Sequence, residues 1–161
     1  MDEPASDDDG ELFAAAYPGL RRFAAVVAPL DLDPDDLVQE AVTRALRIGP
    51  LHALDHPTAY LRRTMVNVAA NHNRTKGRER RAHVRIAGAA TDEPGASYPS
   101  DLAELDRLDP SDRAALYLAD VERLPLAEVA DALGTNAPAA RARVSRARRR
   151  LRQALTEGDP S

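Results

Sequence analysis

Two arginine-rich segments carry most of the chain's capacity to bind another molecule. Arg141, Arg143, Arg146, Arg148, Arg149, Arg150 and Arg152 fall between Ala137 and Leu155 with no acidic residue among them. Ala140, Val144, Ala147 and Leu151 recur there at helical spacing, so one face of a helix is apolar and the rest presents guanidinium groups. Such a helix suits the DNA major groove, because arginine pairs bidentately with guanine and also anchors phosphates. The first turns would enter deepest, which assigns base reading to Arg141, Ala142 and Ser145, mainly through Arg141 and Ser145. Phosphate anchoring falls to Arg143, Arg146 and Arg149, with Arg150 as a further candidate.

The second basic segment runs from Tyr60 to Arg85, where Arg62, Arg63, Arg74, Lys76, Arg78, Arg80, Arg81 and Arg85 face only Glu79. Asn67, Asn71, Arg74 and Arg78 line a polar face opposite Leu61, Met65, Val68, Ala69 and His72. Asparagine pairs bidentately with adenine, so this face also has the means to meet a nucleic acid strand. The chain as a whole is acidic, with 22 Lys plus Arg against 26 Asp plus Glu. Two basic blocks inside an acidic chain point to two contacts with a polyanion, whereas simple decoration of solvated helices accounts better for one block than for two.

Asp36, Gln39 and Glu40 form an acidic and amide surface directed away from the Val38, Ala41, Ala45 stripe, suited to a basic partner. The competing reading is an ordinary solvated face with Glu40 paired to Arg44 at i, i+4. Enzyme chemistry finds no foothold. With no cysteine there is no disulfide scaffold, Cys-based zinc site or thiol chemistry. His52 and His56 are four apart, but Asp55 and Pro57 place them in a loop without a third ligand, so no metal is expected. No glycine-rich phosphate loop or Ser-His-Asp order is present, and the expectation is a non-catalytic protein without cofactors. Asn73-Arg74-Thr75 matches a glycosylation sequon but has no secretory context.

These residues must be positioned by helices. Hydrophobic residues make up 43% of the 161, but aromatics only 4%, so the core is built from Leu, Val and Ala. Leu12, Phe13, Ala16, Leu20, Phe23 and Val27 predict one or two helices over Gly10–Leu30, bent or divided by Pro18. Asp33-Pro34-Asp35-Asp36 starts a helix that lasts to about Arg47 before Gly49-Pro50, and Pro57-Thr58 starts a third. Ala87–Ser100, rich in Ala, Gly, Pro and Ser, has no apolar period and reads as a linker. Asp109-Pro110-Ser111-Asp112 opens another helix, with an apolar run through Ala115, Leu116, Leu118, Ala119 and Val121 that lasts to Glu122. Then come a short helix over about Pro125–Leu133 and the arginine helix, joined by Leu133-Gly134-Thr135-Asn136. There Gly134 can end one helix in the left-handed conformation and Asn136 can cap the next. This is helix-turn-helix syntax.

The expected fold is therefore all-α: two small helical bundles joined by a flexible linker, the C-terminal one containing a helix-turn-helix. The expected divisions are an acidic disordered leader over 1–10, a helical domain over 11–85, a linker over 86–100, a helix-turn-helix domain over 101–155 and a tail over 156–161. The apolar run Phe23–Leu30 is far shorter than the roughly 20 residues of a membrane span, and Met1-Asp2-Glu3-Pro4 lacks a basic n-region, so a cytoplasmic location is expected.

The chain resembles bacterial sigma factors of the extracytoplasmic-function (ECF) class. The resemblance rests on Leu124–Gly134 followed by Val144–Arg152, and on Asp36–Ala41 followed by Ala59–Arg63 and Val66–Asn71. It implies that the first bundle is sigma region 2, which binds the clamp helices of the polymerase β′ subunit and the promoter −10 element. The second bundle would be region 4, which binds the −35 element and the β flap. Asp36, Leu37, Gln39 and Glu40 are then the polymerase-binding residues. Arg63, Asn67, Asn71, Arg74 and Arg78 meet −10 DNA, and Arg141, Ala142, Arg143, Ser145, Arg146 and Arg149 meet −35 DNA. The resemblance also implies a monomer, an anti-sigma protein that occludes these faces, and a flipped base held in a loop at about Gly49–His56.

The chain departs from the family at three places. The loop has no aromatic residue, with Tyr60 the nearest; Pro125 replaces a capping Ser, so Glu128 loses its capping-box partner; and Pro138-Ala139 replaces Gly-Thr at the start of the recognition helix. Two rivals predict different behaviour. A stand-alone helix-turn-helix repressor or activator would be a homodimer on a palindromic site, and an adaptor for acidic proteins would not need DNA.

Overall fold

The computed structural model describes residues 5–87, 105 and 107–157, and among these the regular structure is entirely helical. α1 spans Ala5–Val27 without interruption at Pro18. This corrects the expectation of a disordered leader for its helical part. Asp7 and Asp8 lie in the first turn, where the helix dipole favours negative charge. Asp9 accepts hydrogen bonds from the backbone N–H groups of Leu51 and His52, at 3.0 and 2.9 Å, which ties the acidic segment to the rest of the molecule.

α2 spans Pro34–Ile48, with the Asp33 carboxylate accepting from Asp35 N–H and Pro34 in the first turn. Its inner face is Leu37, Val38, Ala41 and Ala45. A single 3₁₀ turn, Leu51–Ala53, leads to α3, Pro57–Ala87, which buries Leu61, Met65, Val66 and Ala69. The expected linker from 88 onward lies outside the described residues.

α4, Pro110–Leu116, is capped by Asp109, which accepts from Asp112 N–H at 2.8 Å. The apolar run beyond it does not continue as α-helix. Tyr117–Val121 widens into a π-helical turn closed by Glu122 N–H on the Tyr117 carbonyl, and Arg123 follows at φ 55°. α5, Leu126–Leu133, starts at Pro125 with no side-chain cap, as the loss of the capping-box serine predicts. It ends at Gly134 in the left-handed conformation, φ 66°. α6, Ala137–Glu157, begins with the Asn136 side chain accepting from Ala139 N–H.

The two bundles are not separate bodies. Leu20, Phe23 and Val27 of α1, Leu37 and Val38 of α2, and Leu61 and Met65 of α3 form one continuous core with Ala115, Leu118, Val129, Ala130, Ala140 and Val144. Buried alanines such as Ala24, Ala41, Ala115 and Ala140 belong to this core, and a fully buried Phe23 alone contributes on the order of 2–3 kcal/mol. Polar bonds cross the same junction. Arg62 donates twice to the Glu122 carboxylate, at 2.7 and 2.6 Å, while its guanidinium lies 5.5 Å from the Phe23 ring centroid. Arg113 donates to the Val27 carbonyl at 3.2 Å. The expectation of two bundles hanging on a linker therefore omitted this shared interior.

Candidate nucleic-acid and polymerase interfaces

On α6 the buried stripe is Ala140, Val144, Ala147 and Ala154, with Leu151 half-buried beside it. The arginines divide into two sets. Asp112 of α4 is 1% exposed and holds Arg143 at 3.2 Å on one carboxylate oxygen and Arg150 on the other. Arg148 pairs with Asp120, and its hydrogen bond holds the Asp120 carboxyl below the ordinary range despite partial burial that acts the other way. The same bond raises Arg148. Arg141, Ala142, Ser145, Arg146, Arg149 and Arg152 stand exposed on the outer face, with no ion pair among the described residues. Arg143, expected on DNA phosphate, is one of the cations that the buried Asp112 carboxylate demands, and its side chain stays 34% exposed. Arg150 is another.

On α3, Arg63, Asn67, Asn71, Arg74 and Arg78 are all exposed and follow one stripe. The Asn71 carbonyl accepts from Arg74 at 2.9 Å, which fixes both side chains at the surface. Farther round the helix, His72 Nε2 lies 3.1 Å and Lys76 Nζ 3.6 Å from Asp31 Oδ2. Partial burial pushes the Asp31 carboxyl up, but the His72 hydrogen bond and the nearby positive charges outweigh it and lower it overall.

The loop before α3 is built as well as positioned. Asp9 caps its 3₁₀ turn and also meets the His52 ring nitrogen Nδ1 at 2.8 Å. The backbone N–H of His52 is the main influence lowering the Asp9 carboxyl; desolvation opposes it, and the His52 ring and Leu51 N–H add to the lowering. Leu54, Asp55, His56, Ala59, Tyr60 and Arg63 line an open depression of about 250 Å³, with Asp131 of α5 also at its wall.

On α2, Asp36 and Gln39 are exposed, and Glu40 makes a 2.7 Å pair with Arg44. That pair is itself solvated, so it is worth a few tenths of a kcal/mol and leaves Glu40 open to a competing cation. Leu37 is 0% exposed, so its assignment as a polymerase contact is corrected. It falls beside Val38 on the inner face and supports the surface from below. Sequence reasoning missed Asp9, Asp112 and Glu122. Asp9 sat in a run of like charges, Asp112 beside a helix cap that explained it already, and Glu122 at the end of an apolar run. No local pattern marked their long-range partners.

Fold and surfaces together define an all-helical protein whose C-terminal half carries a helix-turn-helix with an arginine-rich second helix. Residues 102–151 match the family described as Sigma-70, region 4. The chain is 33% identical over 165 residues to the ECF RNA polymerase sigma factor SigJ of Mycobacterium tuberculosis (strain ATCC 25618 / H37Rv), an alignment covering 92% of this chain and 50% of that protein. The chain thus spans about half the length of that relative. Among solved structures, the sigma factor RpoE from Bartonella quintana, in complex with the anti-sigma factor NepR, shares the fold. Its TM-score is 0.64 at 24% identity, covering 92% of this chain and 97% of that chain. These likenesses support an ECF sigma factor.

No described helix is long and apolar enough to cross a membrane.

Proposed function

We propose that the chain is a promoter-specificity factor that binds core RNA polymerase and directs initiation at promoters with −10 and −35 elements. The observation that carries this reading is the presence of two separate, exposed cation and amide surfaces on one chain: the α3 stripe and the outer face of α6. One alone would suit any DNA-binding regulator; two on differently built halves suit two dissimilar elements.

In this reading α6 enters the major groove at −35, with Arg141 and Ser145 at base edges and Arg146 and Arg149 on phosphates. Arg63, Asn67, Asn71, Arg74 and Arg78 follow the −10 strand. The depression beside Tyr60 takes an extruded base, whose unstacking costs a few kcal/mol that the pocket must offset. Tyr60 is the aromatic residue in that lining and supplies the stacking surface. Asp36, Gln39 and Glu40 dock on the basic β′ clamp helices, and region 4 docks on the β flap. The chain works as a cytoplasmic monomer without catalysis or cofactor of its own. An anti-sigma protein restrains it, as NepR accompanies RpoE in the related fold.

Run-off transcription on genomic fragments with core polymerase tests this directly. Discrete transcripts that require the chain, and that weaken with Glu40→Lys, support it. Absence of initiation, with tight duplex binding in the absence of core polymerase, favours the repressor-or-activator alternative.

A further inference from the structure

Asp9 belongs to no surface assigned to polymerase or DNA, yet its carboxylate makes three contacts with one loop. It accepts from the backbone N–H groups of Leu51 and His52, at 3.0 and 2.9 Å, and meets His52 Nδ1 at 2.8 Å. Its neighbours Asp7 and Asp8 are exposed, whereas the Asp9 side chain is 17% exposed. Helical spacing explains the difference. Asp9 precedes Leu12, Phe13 and Ala16 by three, four and seven positions, and all three pack against the core, so Asp9 continues their face of α1.

The loop depends on such an anchor. Its 3₁₀ turn starts after Pro50, which offers no side-chain cap, and Asp9 bonds the first two N–H groups of the turn from more than forty positions away. From there the chain is fixed stepwise. Ala53 N–H donates to the Pro50 carbonyl at 3.1 Å, Leu54 N–H to that of Leu51 at 3.1 Å, and Tyr60 N–H to that of His56 at 3.0 Å. Leu51 is buried and Leu54 half-buried against the core, which leaves His52, Asp55 and His56 outside.

The segment fixed in this way is one wall of the depression beside Tyr60, lined by Leu54, Asp55 and His56. Unstacking a base must be compensated by the surface that receives it. A loop that orders only when the base arrives adds its own ordering entropy to that cost, and a loop ordered beforehand does not. Tyr60, the aromatic residue of the lining, stands on α3, so its ring faces a defined gap only while the opposite wall keeps its place. An acid beside a nucleic-acid surface works against binding through its charge, so Asp9 acts through what it holds.

We infer that Asp9 is a positioning residue for base capture: from the acidic start of α1 it holds the 51–56 loop in the form that receives an extruded −10 base. The identity of that ligand rests on the proposed sigma function. The anchoring itself does not.

Two readouts on the full chain test this. In amide hydrogen exchange of the free chain, Asp9→Ala should speed exchange at Leu51 and His52 by about tenfold or more, and Asp7→Ala, the same charge change at an exposed position, should not. With core polymerase and a promoter mapped by run-off, 2-aminopurine placed at each −10 position in turn reports the base that leaves the stack. Asp9→Ala should lower the opened fraction by about tenfold with polymerase affinity unchanged, and Asp9→Asn, which keeps one acceptor oxygen, should recover part of the loss. On a premelted −10 strand the deficit should persist with that base in place and vanish when the position is abasic, which a general loss of stability would not produce. Unchanged exchange at Leu51 and His52 overturns the inference. So does an unaltered opened fraction, or an equal deficit on intact and abasic strands. Should Asp9→Ala fail to fold, the same comparisons of Asp9→Asn with Asp7→Asn decide. An unaltered chain that opens no promoter, with a loop that still loosens in Asp9→Ala, refutes the sigma reading while the anchor stands.

Discussion

Asp112 shows how a single residue organises a binding surface it never touches. Its carboxylate is buried and held by Arg143 and Arg150 on α6, while its backbone N–H is capped by Asp109. Asp112→Ala leaves two arginines without their counter-charge and is expected to destabilise the chain by about 2–3 kcal/mol, discounted for the partial exposure of both partners. Chemical denaturation measures this. Gly134→Ala forces a Cβ into left-handed backbone and against Arg63, and a loss of about 1–2 kcal/mol is expected in the same assay. Acid sensitivity also belongs at this scale. Asp9, Asp31 and Asp120 have folded-state values below the ordinary 3.8. Each therefore stabilises the folded chain fully above its unfolded pKa and loses that contribution as pH falls through the lower folded value. Thermal melts should show no dependence from these groups between about pH 5 and 7 and a decline below about pH 4, smaller in Asp31→Asn or Asp120→Asn. Residue roles were the least legible part of the sequence. Spacing places Arg143 on the outside of α6, but only the fold brings a buried acid beneath it. Leu37 looked like part of a motif and proved to be core.

At the scale of elements the sequence is far more informative, because caps and breakers act locally. Asp33-Pro34, Asp109-Pro110, Gly134 and Asn136 each do in the structure what their chemistry predicts. Two local readings failed for non-local reasons. The acidic start of α1 is ordered because Asp9 reaches Leu51 and His52, more than forty positions away. The π-helical turn at Tyr117–Val121 interrupts an apolar run whose composition suits an unbroken helix. For α6, the exposed set separates two kinds of contact. Arg141→Ala should weaken binding to the preferred −35 duplex by about 1–3 kcal/mol and relax preference at one base pair. Arg149→Ala should weaken all duplexes alike and reduce the salt dependence of log affinity by about one unit. Fluorescence anisotropy on matched and mismatched duplexes across a salt series distinguishes them.

For the whole molecule, all-helical class and the order of two halves followed from composition, the alanine- and glycine-rich segment and the two basic blocks. Their packing did not, because an amphipathic helix announces that one face is buried without saying against what. Phe23 and Val27 sit in a pattern that any single bundle would satisfy, yet they share a core with Leu118 and Val129 from the other half. The central claim is that these halves read two separated elements once the chain is on polymerase. Footprinting of a promoter located by run-off, with core polymerase and either the unaltered chain or a paired Arg141→Ala, Arg146→Ala variant, tests it most directly. The account predicts two protected segments near −10 and −35, the upstream one selectively lost in the variant. A single palindromic footprint made by the chain without polymerase would contradict it.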